Sequence, residues 1–233
     1  MLKMLKNVAL VAALMIMALV GSASAGPISV SAVLGGATTG SVKDNLDAVT
    51  ALGSGDVISA TGIVVTFGGD ASWVTGSLVD RYAAPYLSGS NAVGFGNASS
   101  GADTTQYLST GIGSVTMVMP GSRTYDYFGL LWGSVDSYNT LTFYNGSTLI
   151  GSLTGNDVLL LANGDQGVNG TVYVNLGFAP GFGYDKVVAG SSNYAFEFDN
   201  VAFDQTAVPE PASLLLLGTG LIGVGRAWRK RRG

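Results

Sequence analysis

Thr140-Leu141-Thr142-Phe143-Tyr144-Asn145-Gly146-Ser147-Thr148-Leu149-Ile150-Gly151-Ser152-Leu153 is the stretch whose reading decides the fold. Two short runs of strand-forming residues flank Asn145-Gly146, the strongest short-range signal for a β-hairpin, because both residues tolerate the positive φ of a tight two-residue turn. Runs of the same kind recur on either side, at Val57–Phe67, Ser114–Met119, Tyr125–Trp132, Thr171–Phe178 and Tyr194–Phe203, separated by turn residues. There is no fixed-period repeat and no long helical period. Only Asp44–Leu52, where Leu46, Val49 and Leu52 can share a face, is expected as a short helix. Many short strands with Gly-rich turns predict an all-β domain, a β-sandwich or jelly-roll-like body.

The last of these runs carries an irregularity. Phe196 and Phe198 share one parity, whereas Val201 and Phe203 share the other, so a uniform strand would send the two pairs to opposite faces. A β-bulge at Asp199-Asn200 restores one continuous buried face. Bulges sit beside sites often enough to make Asp199 and Asn200 candidates for ligand or ion contact. The alternative is that Asp199 satisfies backbone N–H groups at the kink.

Composition narrows the chemistry. Of 11 basic and 15 acidic residues, Lys3 and Lys6 lie at the N-terminal end, and Arg226, Arg229, Lys230, Arg231, Arg232 and Glu210 at the other. The middle therefore holds 4 basic and 14 acidic residues, a net charge of −10. So acidic a domain is a poor partner for nucleic acid, whose phosphates need Lys and Arg. The chain has no Cys and no His, which removes disulfides, zinc sites, Ser-His-Asp triads and cysteine nucleophiles. No residue is singled out as catalytic and no cofactor is implied.

Both ends read as processing segments. Lys3 and Lys6 precede the apolar run Val8–Val20, and Ala23-Ser24-Ala25 supplies small residues for cleavage before Gly26. This is the plan of a secretory signal peptide over residues 1–25, a short apolar helix to be cut by signal peptidase. The folded domain is then expected over residues 26–207 and a tail over 208–233. In the tail, Pro209-Glu210-Pro211 is followed by an apolar segment over 212–227 and a basic stop of Arg226, Arg229, Lys230, Arg231 and Arg232. The apolar segment spans roughly 24 Å as a helix, a marginal transmembrane length against a hydrocarbon core of about 30 Å. Basic residues stay cytoplasmic, so both ends place the domain on the other side of the membrane. Gly218-x-Gly220-x-x-Gly223 matches a dinucleotide fingerprint in letters alone. It follows no strand and sits inside the apolar tail, so it is not a nucleotide site.

The order Val-Pro-Glu-Pro, apolar helix, Arg-rich end closely resembles the PEP-CTERM sorting signal. That resemblance implies recognition by an exosortase in a Gram-negative bacterium that makes exopolysaccharide, with Pro209, Glu210 and Pro211 at the positions of the motif. The block Tyr125–Asn145 and the run Asn193–Phe203 also look like the body of a recurrent group of exosortase-dependent surface proteins. This second resemblance implies a secreted β-sandwich and brings no agreed activity.

Within that block, Trp132, Asp136, Tyr138 and Asn139 offer what a sugar site uses: an aromatic face with acceptor and amide groups. Equally, Trp132 fits the core, and Asp136 and Asn139 fit caps of their own turn. The leading reading is an exported surface or matrix protein without enzymatic activity, associated with exopolysaccharide. Two alternatives stand beside it. One is a secreted carbohydrate-active hydrolase using paired carboxylates, which needs two acids in a cleft. The other is a calcium-stabilised adhesin with oxygen ligands from loops such as Asn163-Gly164-Asp165, although that segment lacks the full EF-hand loop. The segment Phe95–Gln106, plain Gly, Ser and Asn wording, has no assigned place.

Overall fold

The Val-, Thr- and aromatic-rich runs fold as strands. A computed structural model describes residues 26–33, 35–38, 41–52, 55–96 and 100–204. They form β1 (Ile28–Val33), β2 (Val42–Asp44), β3 (Val49–Ala51), β4 (Val57–Ser59), β5 (Val64–Gly69), β6 (Ser72–Thr75), β7 (Tyr86–Leu87), β8 (Gly101–Ala102), β9 (Gln106–Ser109), β10 (Gly113–Val118), β11 (Tyr127–Gly133), β12 (Asn139–Asn145), β13 (Thr148–Thr154), β14 (Val172–Phe178), β15 (Lys186–Ser191) and β16 (Glu197–Asp204). One helical turn, α1 (Gly155–Val158), follows β13. The signal segment with Ala23 and Ala25 lies outside the described residues. So do Pro209, Glu210, Pro211, the 212–227 span and the basic stop.

The chain is all-β, with every strand pairing antiparallel. One sheet runs β1-β14-β11-β16-β9-β6, with β2 adding to β16 beside β9, and a second runs β13-β12-β15-β10-β5-β4-β3. Their inner faces share one core. Phe128 of β11 meets Phe143 of β12 edge-on at 5.4 Å, and Phe143 meets Phe178 of β14 at 5.0 Å. Aromatic pairs in this geometry add to simple area burial. Tyr184, fully enclosed among them, donates its hydroxyl to the Tyr127 carbonyl at 2.9 Å.

The second sheet keeps one face toward solvent, and β12 and β15 alternate between buried and half-exposed residues. The first sheet does not alternate. β11 and β16 are buried on nearly every residue, because the segment from Ala83 to Asp103, with the β7–β8 pair, lies over its outer face. There Leu87, Ala92 and Phe95 pack on Leu131, Tyr173 and Ala202. Gly133 makes room for this cover: a Cβ there would lie 3.1 Å from Pro85. Of the Phe95–Gln106 segment, which the sequence left without a place, Phe95 and β8 belong to this covering layer and Gln106 opens β9.

Several local expectations change. Asp44–Leu52 is not a helix; it turns from β2 into β3. The Asp44 carboxylate accepts the Leu46 N–H at 2.9 Å and the Thr61 hydroxyl at 2.5 Å. Such a side-chain-to-backbone bond competes with helix formation, and Leu46 is left buried at φ +57. Val57–Phe67 is two strands, β4 and β5, folded back at Gly62 (φ +93). In the Asn145-Gly146 hairpin, Asn145 pairs with Thr148, so the two loop residues are Gly146 and Ser147. Gly146 takes φ +58 at the first loop position, where a type II′ turn wants glycine.

The last strand steps as its residue pattern requires. Gly129 pairs with Ala202 but Leu131 with Asp199, so β16 carries one extra residue there, with Asn200 at φ +53. Phe196, Phe198, Val201 and Phe203 all enter the common core. The Asn200 side chain is fully buried, and neither end of its amide has a hydrogen-bond partner. Asn200→Gly should therefore keep the denaturation midpoint close to that of the parent. Asn200→Val, a β-branched residue forced to positive φ, should lower stability by about 1–2 kcal/mol. Equal losses in the two variants would mean that the side chain matters and the backbone conformation does not.

Candidate functional site

β11 ends at Gly133, and the loop Ser134–Tyr138 carries the chain into β12. The loop is held from outside. Val135 donates its N–H to the Gly170 carbonyl at 2.9 Å and accepts that of Gly164 at 3.0 Å. The Asp136 side chain then has a fixed setting. Its Oδ2 is 2.7 Å from the Tyr138 hydroxyl, which also lies 2.9 Å from the Tyr194 carbonyl. Gly164 (φ +71) sits against the carboxylate; a Cβ there would fall 2.8 Å from Oδ2. Asp136 and Tyr138 thus line one polar cavity of about 410 Å³, with Ser134, Glu197, Asp80 and Arg81 among the other walls. That volume is at the small end of the usual range for small-molecule sites.

Glu197, the first residue of β16, closes the floor. It is 2 % exposed. Its Oε1 accepts the Ala83 N–H from the covering segment at 3.0 Å. Its Oε2 has no hydrogen-bond partner, and neither does the Ser134 hydroxyl. The hydroxyl lies near enough to the carboxyl to ease its ionisation, yet the two do not meet in hydrogen-bond geometry. Burial pushes the Glu197 carboxyl up to about 7, against the pull of the Ala83 N–H, with the charge of Asp136 adding to the rise. Burial raises Asp136 too, opposed by the Tyr138 hydroxyl. Tyr138 is itself held above its ordinary range by burial and by Asp136.

The cavity therefore brings together only some of the residues the sequence proposed. Asp136 and Tyr138 line it. Trp132 does not: it is fully buried and stacked on Phe196 at 4.2 Å, so its ring offers no free face to a sugar. Asn139 is buried in β12, where its Oδ1 accepts the Ser191 hydroxyl at 2.9 Å. Asp199 and Asn200 are enclosed at the bulge, beneath the covering segment. Burial holds the Asp199 carboxyl well above its ordinary range, and the charge of Asp103 adds to the rise. In the calcium candidate, Asn163 and Gly164 line the cavity, while Asp165 Oδ1 accepts the Gly167 N–H at 2.7 Å. Among the described residues, no three acidic side chains converge so as to hold a metal ion.

Glu197 and Ser134 are the floor residues that sequence reasoning missed. Alternation of Phe196, Glu197 and Phe198 reads as an acid on the outer, solvated face, and it is the covering segment over that face that buries it.

The Glu197 shift has a sign that can be checked. From an ordinary value of 4.5 to about 7, the folded state holds the proton more tightly than the unfolded chain. Its contribution to stability is fully present below about pH 4.5 and is lost as pH rises through 7. The loss amounts to about 3 kcal/mol at roughly 1.4 kcal/mol per pH unit. Asp136 and Asp199 are shifted in the same direction. Glu197→Gln should therefore match the parent near pH 4.5 and be the more stable protein at pH 8, as read by thermal melts. A parallel pair of pH profiles would show that Glu197 does not titrate in that window.

No curated protein matches the chain significantly. The family model of the PEP-CTERM protein-sorting motif matches residues 207–232. The match begins just beyond β16: only Gln205 and Thr206 separate Asp204, the last residue of that strand, from its first residue. The chain thus carries, directly behind its last core strand, the PEP-CTERM sorting tail that marks exported proteins handled by an exosortase.

Proposed function

We propose that this is an exported surface protein of a Gram-negative bacterium, delivered by its tail to an exosortase and retained in the exopolysaccharide matrix without catalysing a reaction. The sorting motif at residues 207–232 carries the reading. The arrangement of the ends supports it. Signal peptidase cutting before Gly26 would act just ahead of β1, and cutting at Pro209–Pro211 would act just behind β16. Neither cut removes an element of the domain. The prolines keep the tail extended where a protease can grip it, while the apolar segment holds it in the membrane until it is cut.

A second reading has one observation in its favour. Asp136 and Glu197 share a cavity, and the Asp136 charge helps to raise Glu197, the raw material of a paired-carboxylate glycoside hydrolase with one acid kept protonated near neutrality. Reducing-end release from the host's own polysaccharide, abolished by Glu197→Gln, would establish that reading.

Replacing Pro209, Glu210 and Pro211 with alanine should leave membrane insertion intact, because an anchor needs only the apolar helix and basic stop. The tail should then stay attached and the protein accumulate in the membrane fraction of cells containing the exosortase. If the variant is shortened and released like the parent, the tail is a plain anchor. Retention is tested separately: the processed protein should co-sediment with purified host exopolysaccharide and be free when the polysaccharide is omitted.

A further inference from the structure

We propose that the cavity between the Ser134–Tyr138 loop, the Leu78–Tyr82 segment and the start of β16 binds a protonated primary amine carried on a sugar, as in a de-N-acetylated hexosamine unit of a polysaccharide. The sugar rests on the matrix reading above; the amine rests on the cavity alone.

The side-chain amides of Asn163, Gln166 and Asn193 line the wall, but acceptors at the floor have no donor. Glu197 Oε2 lies at its floor, almost wholly buried and without a hydrogen-bond partner, and the Ser134 hydroxyl beside it has none either. The Asp136 carboxylate and the Tyr194 carbonyl compete for the single proton of the Tyr138 hydroxyl. Asp80 adds a third carboxylate at the exposed rim. Against these stands Arg81, exposed at the rim and directed to Tyr194 rather than to the floor. It lies 4.5 Å above the Tyr194 ring and bonds that tyrosine's hydroxyl, which in turn donates to Asp70 at 2.5 Å. A buried acceptor left bare costs its full desolvation energy, so the cavity favours an occupant that brings both hydrogens and positive charge.

Three kinds of cation could answer. A calcium ion takes six to eight oxygens, and among the described residues no three acidic side chains converge to hold a metal. A guanidinium presents a rigid planar fork suited to one carboxylate met face to face, whereas the acceptors here come from separate elements. An ammonium has three donors, no acceptor and no planar constraint. It can face Glu197, Asp136 and Ser134 together. The rest of the wall includes Tyr82 and Tyr138, aromatic residues of the kind that suit the C–H face of a sugar ring, and Tyr194, whose ring already carries the Arg81 guanidinium. A cavity of about 410 Å³ also exceeds what a bare ion needs.

Of the titratable groups around Glu197, Asp136 acts on it, and it acts in turn on Tyr138 and on Tyr107 of β9. Asp80, Arg81, Tyr82 and Tyr194 line the same cavity. An ammonium placed among them favours the ionised carboxylate, so binding near pH 7 should expel a proton from Glu197.

The test is calorimetric titration of the full-length protein in detergent with a glucosamine pentamer, its N-acetylated counterpart, a neutral glucan pentamer and lysine amide. The glucosamine pentamer should bind at least tenfold more tightly than the other three. Its heat of binding at pH 7 should change with the ionisation enthalpy of the buffer, reporting proton release. Glu197→Gln, which keeps the side chain's shape and its acceptor for Ala83, should lower that affinity at least tenfold, and Asp136→Asn should do the same with the protein still folded. Equal binding of the N-acetylated or neutral sugar overturns the amine while leaving the matrix reading standing. Lysine amide binding as tightly as the pentamer overturns the sugar. Affinity unchanged in both variants means a diffuse attraction to the acidic surface and overturns the site. Displacement of the pentamer by one equivalent of calcium makes the cavity a metal site and overturns the proposal, as does the absence of binding by any probe.

Discussion

The register step in β16 at Asn200 is the constraint on which the rest of the structure depends. Side chains on a strand alternate between faces, so one inserted residue reverses every assignment beyond it. With the step, Phe196, Phe198, Val201 and Phe203 form one inner row against the second sheet. The same step fixes what faces outward, where Glu197, Asp199 and Ala202 share the other side. β16 is an interior strand, flanked by β11 on one side and by β9 and β2 on the other. Its outer residues therefore cannot reach water at a sheet edge. The segment from Ala83 to Asp103 follows from this, because an outer face with Leu131, Tyr173 and Ala202 on it needs a cover.

That cover treats two acids of one strand differently. Asp199 is closed off: it is fully enclosed, and burial and the charge of Asp103 hold its carboxyl well above its ordinary range. Glu197, two residues earlier and on the same face, receives one N–H from Ala83 and nothing on its other oxygen. What separates the two acids is the cavity, which Glu197 lines and Asp199 does not. A carboxyl pushed toward neutrality and left half-satisfied at a cavity floor is a site in search of a donor.

The sequence made the all-β architecture legible because its signals were local: strand-forming runs, glycine turns and the parity break between Phe198 and Val201. The misplaced helix over Asp44–Leu52 failed for an equally local reason, a carboxylate bonding the backbone two residues on, which hydrophobic spacing does not register. The site was half legible. Asp136 and Tyr138 stood in a polar loop after a strand and do line the cavity. Trp132 stood at the base of the same loop but points into the core, since its side of β11 is set by pairing with β14 and β16. Glu197 came from a distant strand. Only the pairing of Gly133 with Glu197 across β11 and β16 brings it beneath the loop, and no spacing in the chain announces that.

The position of the tail is the last consequence of this topology. The motif that begins at residue 207 follows β16, a strand paired along both sides, so any pull on the tail loads pairings with β11 and with β9 and β2 at once. Five of the chain's basic residues lie in the tail, and the domain it carries has a net charge of −10. The long-range field of so acidic a domain draws positively charged partners and repels anionic ones. A cavity whose unmet groups are acceptors lies on a molecule whose overall field selects for the same kind of ligand, so encounter and local fit both select for positive charge.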